Sequence, residues 1–343
     1  MVVKCPYKYL DMKCNRLENQ ICIRTTGQYR LCCVSSEPDN VENIITHNIE
    51  NWNSSKIRND AILILANDKW PDACIRCKVD EETGIESTRQ KSEHYGPGIT
   101  HLDLRFSNVC NLSCRMCWPA SSSTLVQEHR EFLKNNTISP WGNNTFVTHN
   151  WYDDKQALEL ASITTLKEVY LTGGEPMMVK GLLRFIKMLD KNVTLRFNTN
   201  GTLLNLKFLE EIKKFKNVNM CFSIDGIGKV NDYIRWGSNW EDVYRNFKIC
   251  KESKFDVSIG PTVQVLNELY MPELRQWAIE HDVKVFENIL ENPDYYSIKN
   301  SPWKSNNTQV HSDFIKYTKI LDNKRNCSII DYLPEVANAY GIN

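Results

Sequence analysis

At 343 residues the chain is long enough for one large α/β domain with a smaller module, and a core of that size needs no covalent cross-links. Lys plus Arg and Asp plus Glu both total 42, so no global positive field exists to hold a phosphate backbone, and nucleic acid is a disfavoured partner. Hydrophobic residues make up 41%, no run approaches the ~18 apolar residues of a membrane helix, and MVVKCPYKYLDMKC lacks a signal core, so the expectation is a soluble, cytoplasmic protein with no membrane partner.

Residues 1–97 hold seven of the thirteen cysteines and few periodic segments apart from a helix around Lys56 to Leu65. In a reducing compartment such a density points to metal or thiolate chemistry rather than disulfides. Cys14, Gly27 and Cys32 read C-x12-G-x4-C, and Cys74 and Cys77 follow as C-x2-C. Four thiolates in two pairs can close a site around zinc or a complete [4Fe–4S] cluster. Cys5, Cys22 and Cys33 compete for the role; Cys33 can replace Cys32, whereas Cys22 in ICIRTTG reads as a buried core thiol. The charged stretch ending in Gly96-Pro97-Gly98 marks a connector.

From His101 short apolar runs alternate with amphipathic helical segments, the signature of repeated β-α units. The expected strands are 101–106, 167–172, 193–199, 218–224, 255–263 and 283–289. Helical spacing recurs in Gly181 to Asp190, Leu206 to Phe215, Trp240 to Lys251 and Pro272 to His281. Right-handed crossovers coil such units into an open partial barrel, with chemistry in loops after the carboxyl ends of the strands. A polar, Asn-rich tail from about Asp294 turns helical around Asp313 to Leu321.

Directly after the first of these strands comes SNVCNLSCRMCWP, in which Cys110, Cys114 and Cys117 are spaced C-x3-C-x2-C. Three thiolates on a short loop can each bind one iron of a cubane, leaving the fourth iron open to an exogenous ligand. A zinc site would want a fourth ligand, and no His lies in the loop. Scattered His101, His129, His149 and His281 make no ligand spacing, and Trp118, Trp141, Trp151 and Tyr152 suit a substrate pocket or core packing equally.

With Gly173-Gly174-Glu175-Pro176 after the second strand, this cysteine loop resembles the radical S-adenosylmethionine (SAM) superfamily. The resemblance implies a partial (β/α)6 TIM-like barrel whose [4Fe–4S] cluster, held by Cys110, Cys114 and Cys117, chelates SAM and reductively cleaves it to methionine and a 5′-deoxyadenosyl radical. It also implies that Gly173, Gly174, Glu175 and Pro176 meet the SAM amino group and that Met116 lies beside adenine. Thr199 and Asn200 fall in the matching positions after the third strand, Ser223 is expected at the ribose or methionyl group, and Arg235 at the carboxylate. Asp225 is a further candidate, or a helix cap.

The N-terminal cysteines resemble the SPASM and twitch auxiliary-cluster modules. This gives a small N-terminal cysteine-rich Fe–S module over 1–97 with an auxiliary [4Fe–4S] cluster on Cys14, Cys32, Cys74 and Cys77, a barrel over 98–293 and a C-terminal extension over 294–343. The implied partners are a peptide or protein substrate and an electron donor such as flavodoxin or ferredoxin. A small-molecule substrate such as a sugar or nucleotide, and a non-catalytic electron-transfer protein, are the alternatives.

Overall fold

The computed structural model describes residues 12–36, 42–93 and 96–342, so Cys5 lies outside the described residues. Among the described residues ten strands form: β1 (Gln20–Ile23), β2 (Tyr29–Arg30), β3 (His101–Leu104), β4 (Glu168–Leu171), β5 (Thr194–Thr199), β6 (Val218–Phe222), β7 (Asp256–Ile259), β8 (Thr262–Val263), β9 (Lys284–Val285) and β10 (Asn288–Ile289). Eight make one sheet in the order β2-β1-β3-β4-β5-β6-β7-β9, parallel throughout except at the β1–β2 edge. Beyond Gly260 and Phe286 the last two barrel strands resume as β8 and β10, which pair with each other in parallel. This is an α/β fold with a mostly parallel sheet, matching a partial TIM-like barrel.

Side-chain alternation explains the layering. Ile23, Leu104, Leu171, Phe197 and Met220 stand in register across five strands and are all buried in the main apolar core. One residue earlier on each strand, Cys22, Asp103, Tyr170, Arg196 and Asn219 form a polar rung. The two-residue period of a strand therefore sends an apolar set to the helices and a polar set to the other face of the sheet.

The described residues before Gly98 are not separated from the sheet. β1 pairs with β3, Thr100 N–H donates to Asn19 O at 2.8 Å, and buried Arg58 donates to the carbonyls of Leu17 and Glu18 at 3.1 and 2.7 Å. A division at residue 97 thus falls between neighbouring strands of one sheet that shares one core. The helix in the tail runs longer than its pattern suggested, over Thr308–Arg325, with an Asn307 side chain capping its start. No helix among the described residues is long and apolar enough to cross a membrane.

Candidate active site

The loops at the carboxyl ends of β3 to β7 converge on one cavity of about 320 Å³, a size within the range of small-ligand sites. Cys110, Cys114 and Cys117 all line it. Their loop is held by its surroundings. Cys110 N–H donates to Ser123 Oγ at 3.1 Å, Ser122 Oγ donates to Leu112 O at 2.7 Å, and Trp141 Nε1 donates to Cys117 O at 3.3 Å. Ser122 also caps the helix Ser123–Lys134, so the cysteine loop runs straight into a rigid element.

The segment after β4 sits against this loop at backbone distance. A Cβ on Gly174 would lie 2.3 Å from Val109 O, and Gly173 has φ +122° with Ser107 O 2.8 Å from where its Cβ would stand. Only glycine permits both the turn and the approach. Gly173, Gly174, Thr199, Asn200, Ser223, Arg235 and Met116 all line the cavity.

Glu175, Pro176 and Asp225 stand elsewhere. Glu175 is buried behind the wall, where its Oε1 accepts from Met177 N–H at 3.1 Å and Thr199 Oγ1 at 2.9 Å, and its Oε2 from Asn200 N–H at 2.7 Å. Its carboxylate is committed to joining the loop after β4 to the end of β5. Burial pushes its carboxyl up, against the lowering by those donors. Pro176 is buried at the start of a 3-10 turn. Asp225 is fully buried; its Oδ1 accepts from Thr262 N–H at 2.7 Å and its Oδ2 lies 2.9 Å from Arg235 Nε. Neither carboxylate is free for a ligand, and each orients a residue that is. Glu175→Gln should therefore put an amide N–H against a donor, costing about 1–3 kcal/mol of stability. Denaturant titration of the two proteins measures this.

The donor set fits an iron–sulfur cluster. Three soft thiols share one wall, and Asn200 Nδ2 lies 3.9 Å from Cys110 Sγ as a donor towards it. Burial pushes the Cys110 and Cys117 thiols up to about 12, so they need a bound cation to remain thiolates near neutrality. The charge of Arg235 acts in the opposite sense on Cys114 and Cys117, favouring thiolate. Among the described residues no three Cys, His, Asp or Glu side chains gather as one metal ion would require; a cubane instead spreads its ligands over separate irons.

A second group forms on the N-terminal side. Cys14, Cys32, Cys74 and Cys77 line one small, largely apolar pocket with Leu65, Trp70 and Arg89. Arg89 is fixed there by two hydrogen bonds to the Glu81 carboxylate, at 2.9 and 2.7 Å. Cys32 lines this pocket with the other three and Cys33 does not, so Cys32 is the member of that pair that joins them. Cys22 is buried beside Asp103 on the polar rung. The void is about 20 Å³, little more than a water needs.

Other sequence candidates serve packing. His129 is buried between Ser139 Oγ and Asn144 O, Trp151 donates to the carbonyls of Arg24 and Arg105, and His281 stacks on Trp277. Sequence reasoning missed the polar rung, whose signal was the pair of polar residues at alternate places in HLDL, EVYL and TLRF.

A three-thiol loop over a polar cavity, at the carboxyl ends of a parallel sheet, defines an α/β protein equipped to hold a soft metal centre and a polar ligand. The chain belongs to the radical SAM superfamily, whose sequence model matches residues 104–278. An uncharacterised protein of Methanocaldococcus jannaschii is 28% identical over 200 residues, 54% of this chain and 61% of that one. GTP 3′,8-cyclase of Clostridium perfringens is 26% identical over 175 residues, 50% and 49% of the two chains. The chain thus spans about half to three fifths of these relatives. A solved structure of anSMEcpe with bound AdoMet is 18% identical, with a TM-score of 0.44, over 67% of this chain and 63% of that one.

Proposed function

We propose that the protein reductively cleaves SAM at a [4Fe–4S] cluster on Cys110, Cys114 and Cys117 and uses the radical so generated to modify a peptide or protein side chain. The observation that carries the first half is the convergence of those three thiols with Gly173, Gly174 and Arg235 on one cavity in a member of this superfamily. When bound, the reduced cluster would supply the one electron that breaks the C5′–S bond of SAM, leaving methionine and a carbon radical able to abstract hydrogen.

The chain's own residues bind and orient. Gly174 brings backbone to the cavity wall, Arg235 offers a guanidinium for a carboxylate, and Asp225 holds that guanidinium in place. Asn200 and Thr199 are fixed by Glu175, and Met116 supplies an apolar contact. The electron is expected from a small donor protein such as flavodoxin or ferredoxin.

The peptide reading rests on the resemblance of the N-terminal cysteine group to auxiliary-cluster modules, whose bearers often act on peptide or protein side chains. The similarity to a GTP 3′,8-cyclase favours the second reading, a nucleotide-like small molecule. Formation of 5′-deoxyadenosine with SAM and dithionite separates them. Stimulation by peptides supports the first reading, and stimulation only by GTP or another small metabolite replaces it with the second.

Cys14, Cys32, Cys74 and Cys77 are proposed to hold an auxiliary [4Fe–4S] cluster in a SPASM- or twitch-like module over 1–97; the small void keeps zinc as the other occupant. Cys74→Ala with Cys77→Ala is expected to lower reconstituted iron and sulfide by about four each while sparing the SAM-binding cluster. Loss of one zinc with unchanged sulfide would assign zinc instead.

A further inference from the structure

Arg115 occupies the middle of the C-x2-C segment, between Cys114 and the cavity-lining Met116. A long charged side chain on a loop ordinarily reaches solvent, yet this one is wholly buried. Its Nε donates to Tyr233 O at 3.0 Å, its guanidinium lies 3.6 Å from the centre of the Tyr233 ring, and its Nη2 pairs with Asp322. Asp322 belongs to the helix Thr308–Arg325, 207 residues further along the chain. That carboxylate also accepts from Tyr233 Oη at 2.9 Å and Ile329 N–H at 2.7 Å, so it is itself held rigidly.

The backbone beside Arg115 is registered on the segment that carries Arg235. Ser113 N–H donates to Trp236 O at 2.9 Å and Arg115 N–H to Ile234 O at 2.8 Å. Cys114 and Arg235 therefore sit opposite each other within one short ladder, and Arg115 is its anchor. The same C-terminal helix also makes an ordinary helix-to-helix ion pair that touches none of the three cysteines. Arg325 makes two hydrogen bonds, 2.9 and 2.8 Å, to Glu128 on the helix Ser123–Lys134 that the loop leads into.

We propose that Arg115 is a positioning residue and that the C-terminal helix, through Asp322, is a clamp that fixes Cys114 and Cys117 relative to Arg235. The geometry points to this role because the buried charge lies between two ligands of the loop, where a displacement is transmitted directly to the thiols. An ordinary fold-stabilising ion pair has no reason to stand there, whereas Arg325–Glu128 serves as its comparison. Arg is required rather than Lys, since one planar fork must reach a carbonyl, a ring face and a carboxylate together.

This inference rests on the radical SAM reading, and its test uses the full-length protein reconstituted anaerobically. Arg115→Lys, Asp322→Asn and Glu128→Gln are compared with wild type by melting temperature, iron content and the electron paramagnetic resonance spectrum of the reduced protein during SAM titration. All three variants should melt lower. Only Arg115→Lys and Asp322→Asn should alter the cluster line shape and weaken the SAM-induced change, by roughly tenfold to a hundredfold, as a misplacement of about 1 Å does. Wild-type spectra and SAM titrations in both, with melting lowered as in Glu128→Gln, would reduce Arg115 to a structural ion pair. An Arg115→Lys protein that failed to fold would likewise overturn the positioning role. Absence of any SAM-dependent change in the wild type would instead remove the functional reading on which the inference stands.

Discussion

Gly174→Ala is expected to reduce SAM-dependent turnover by roughly a hundredfold, the loss that follows when reacting groups shift by about 1 Å. The added Cβ would stand 2.3 Å from Val109 O and 2.7 Å from the carbonyl carbons of Asn108 and Val109. All three obstacles are backbone, so no rotamer change relieves the contact, and the strand-end loop and the cysteine loop must separate. Overpacking of this kind costs about 1–3 kcal/mol, enough to shift the loops without unfolding a chain of this size. Gly142→Ala is the control. Its Cβ meets nothing within 4 Å and its φ is +71°, so it should carry backbone strain of order 1 kcal/mol and leave turnover intact. Equal activity in the two variants would mean that the contact between the loops is not needed for SAM binding.

Arg235→Ala should be the most destabilising single change at the site, by about 3–5 kcal/mol, because it leaves the Asp225 carboxylate buried without its counter-charge. Asp225 has no exposure, and its remaining partner is Thr262 N–H, 2.7 Å away. Arg235→Lys keeps the charge but loses the fork, and an ammonium that satisfies Asp225 cannot also reach a carboxylate in the cavity. The two variants therefore separate roles. Ala is expected to lose stability and SAM binding together, and Lys to keep most stability while SAM binding weakens at least tenfold, a difference of about 1.4 kcal/mol. Chemical denaturation and SAM titration measure the two effects. If Lys bound SAM as wild type does, the guanidinium would serve Asp225 alone.

The barrel was legible because its strands alternate so regularly. HLDL, EVYL, TLRF and VNMCF each place apolar residues on one face, and all six expected strand segments form in the expected order. The cysteine loop and the glycines after β4 were legible for a different reason, since their spacing is fixed by chemistry rather than by packing. β1 escaped notice as a member of the sheet. It pairs with β3 across a gap in the chain of nearly eighty residues, and nothing local in QICI says which strand it will join. Glu175 and Asp225 show a second limit. A carboxylate beside a ligand loop has the same sequence signature whether it faces the ligand or holds the loop, and here both hold the loop. Asp322 and Arg325 were concealed by their charge, although Phe314, Thr318, Leu321, Asp322 and Arg325 recur at helical spacing and mark one buried face.

The most direct test of the central claim is an iron and sulfide count with a 5′-deoxyadenosine assay, after anaerobic reconstitution, on wild type and on Cys110→Ala/Cys114→Ala/Cys117→Ala. The account predicts that the triple variant lacks about four irons and forms no 5′-deoxyadenosine, while wild type forms it with SAM and a strong reductant. Equal iron in the two proteins, or a fully loaded wild type that leaves SAM uncleaved, would contradict it.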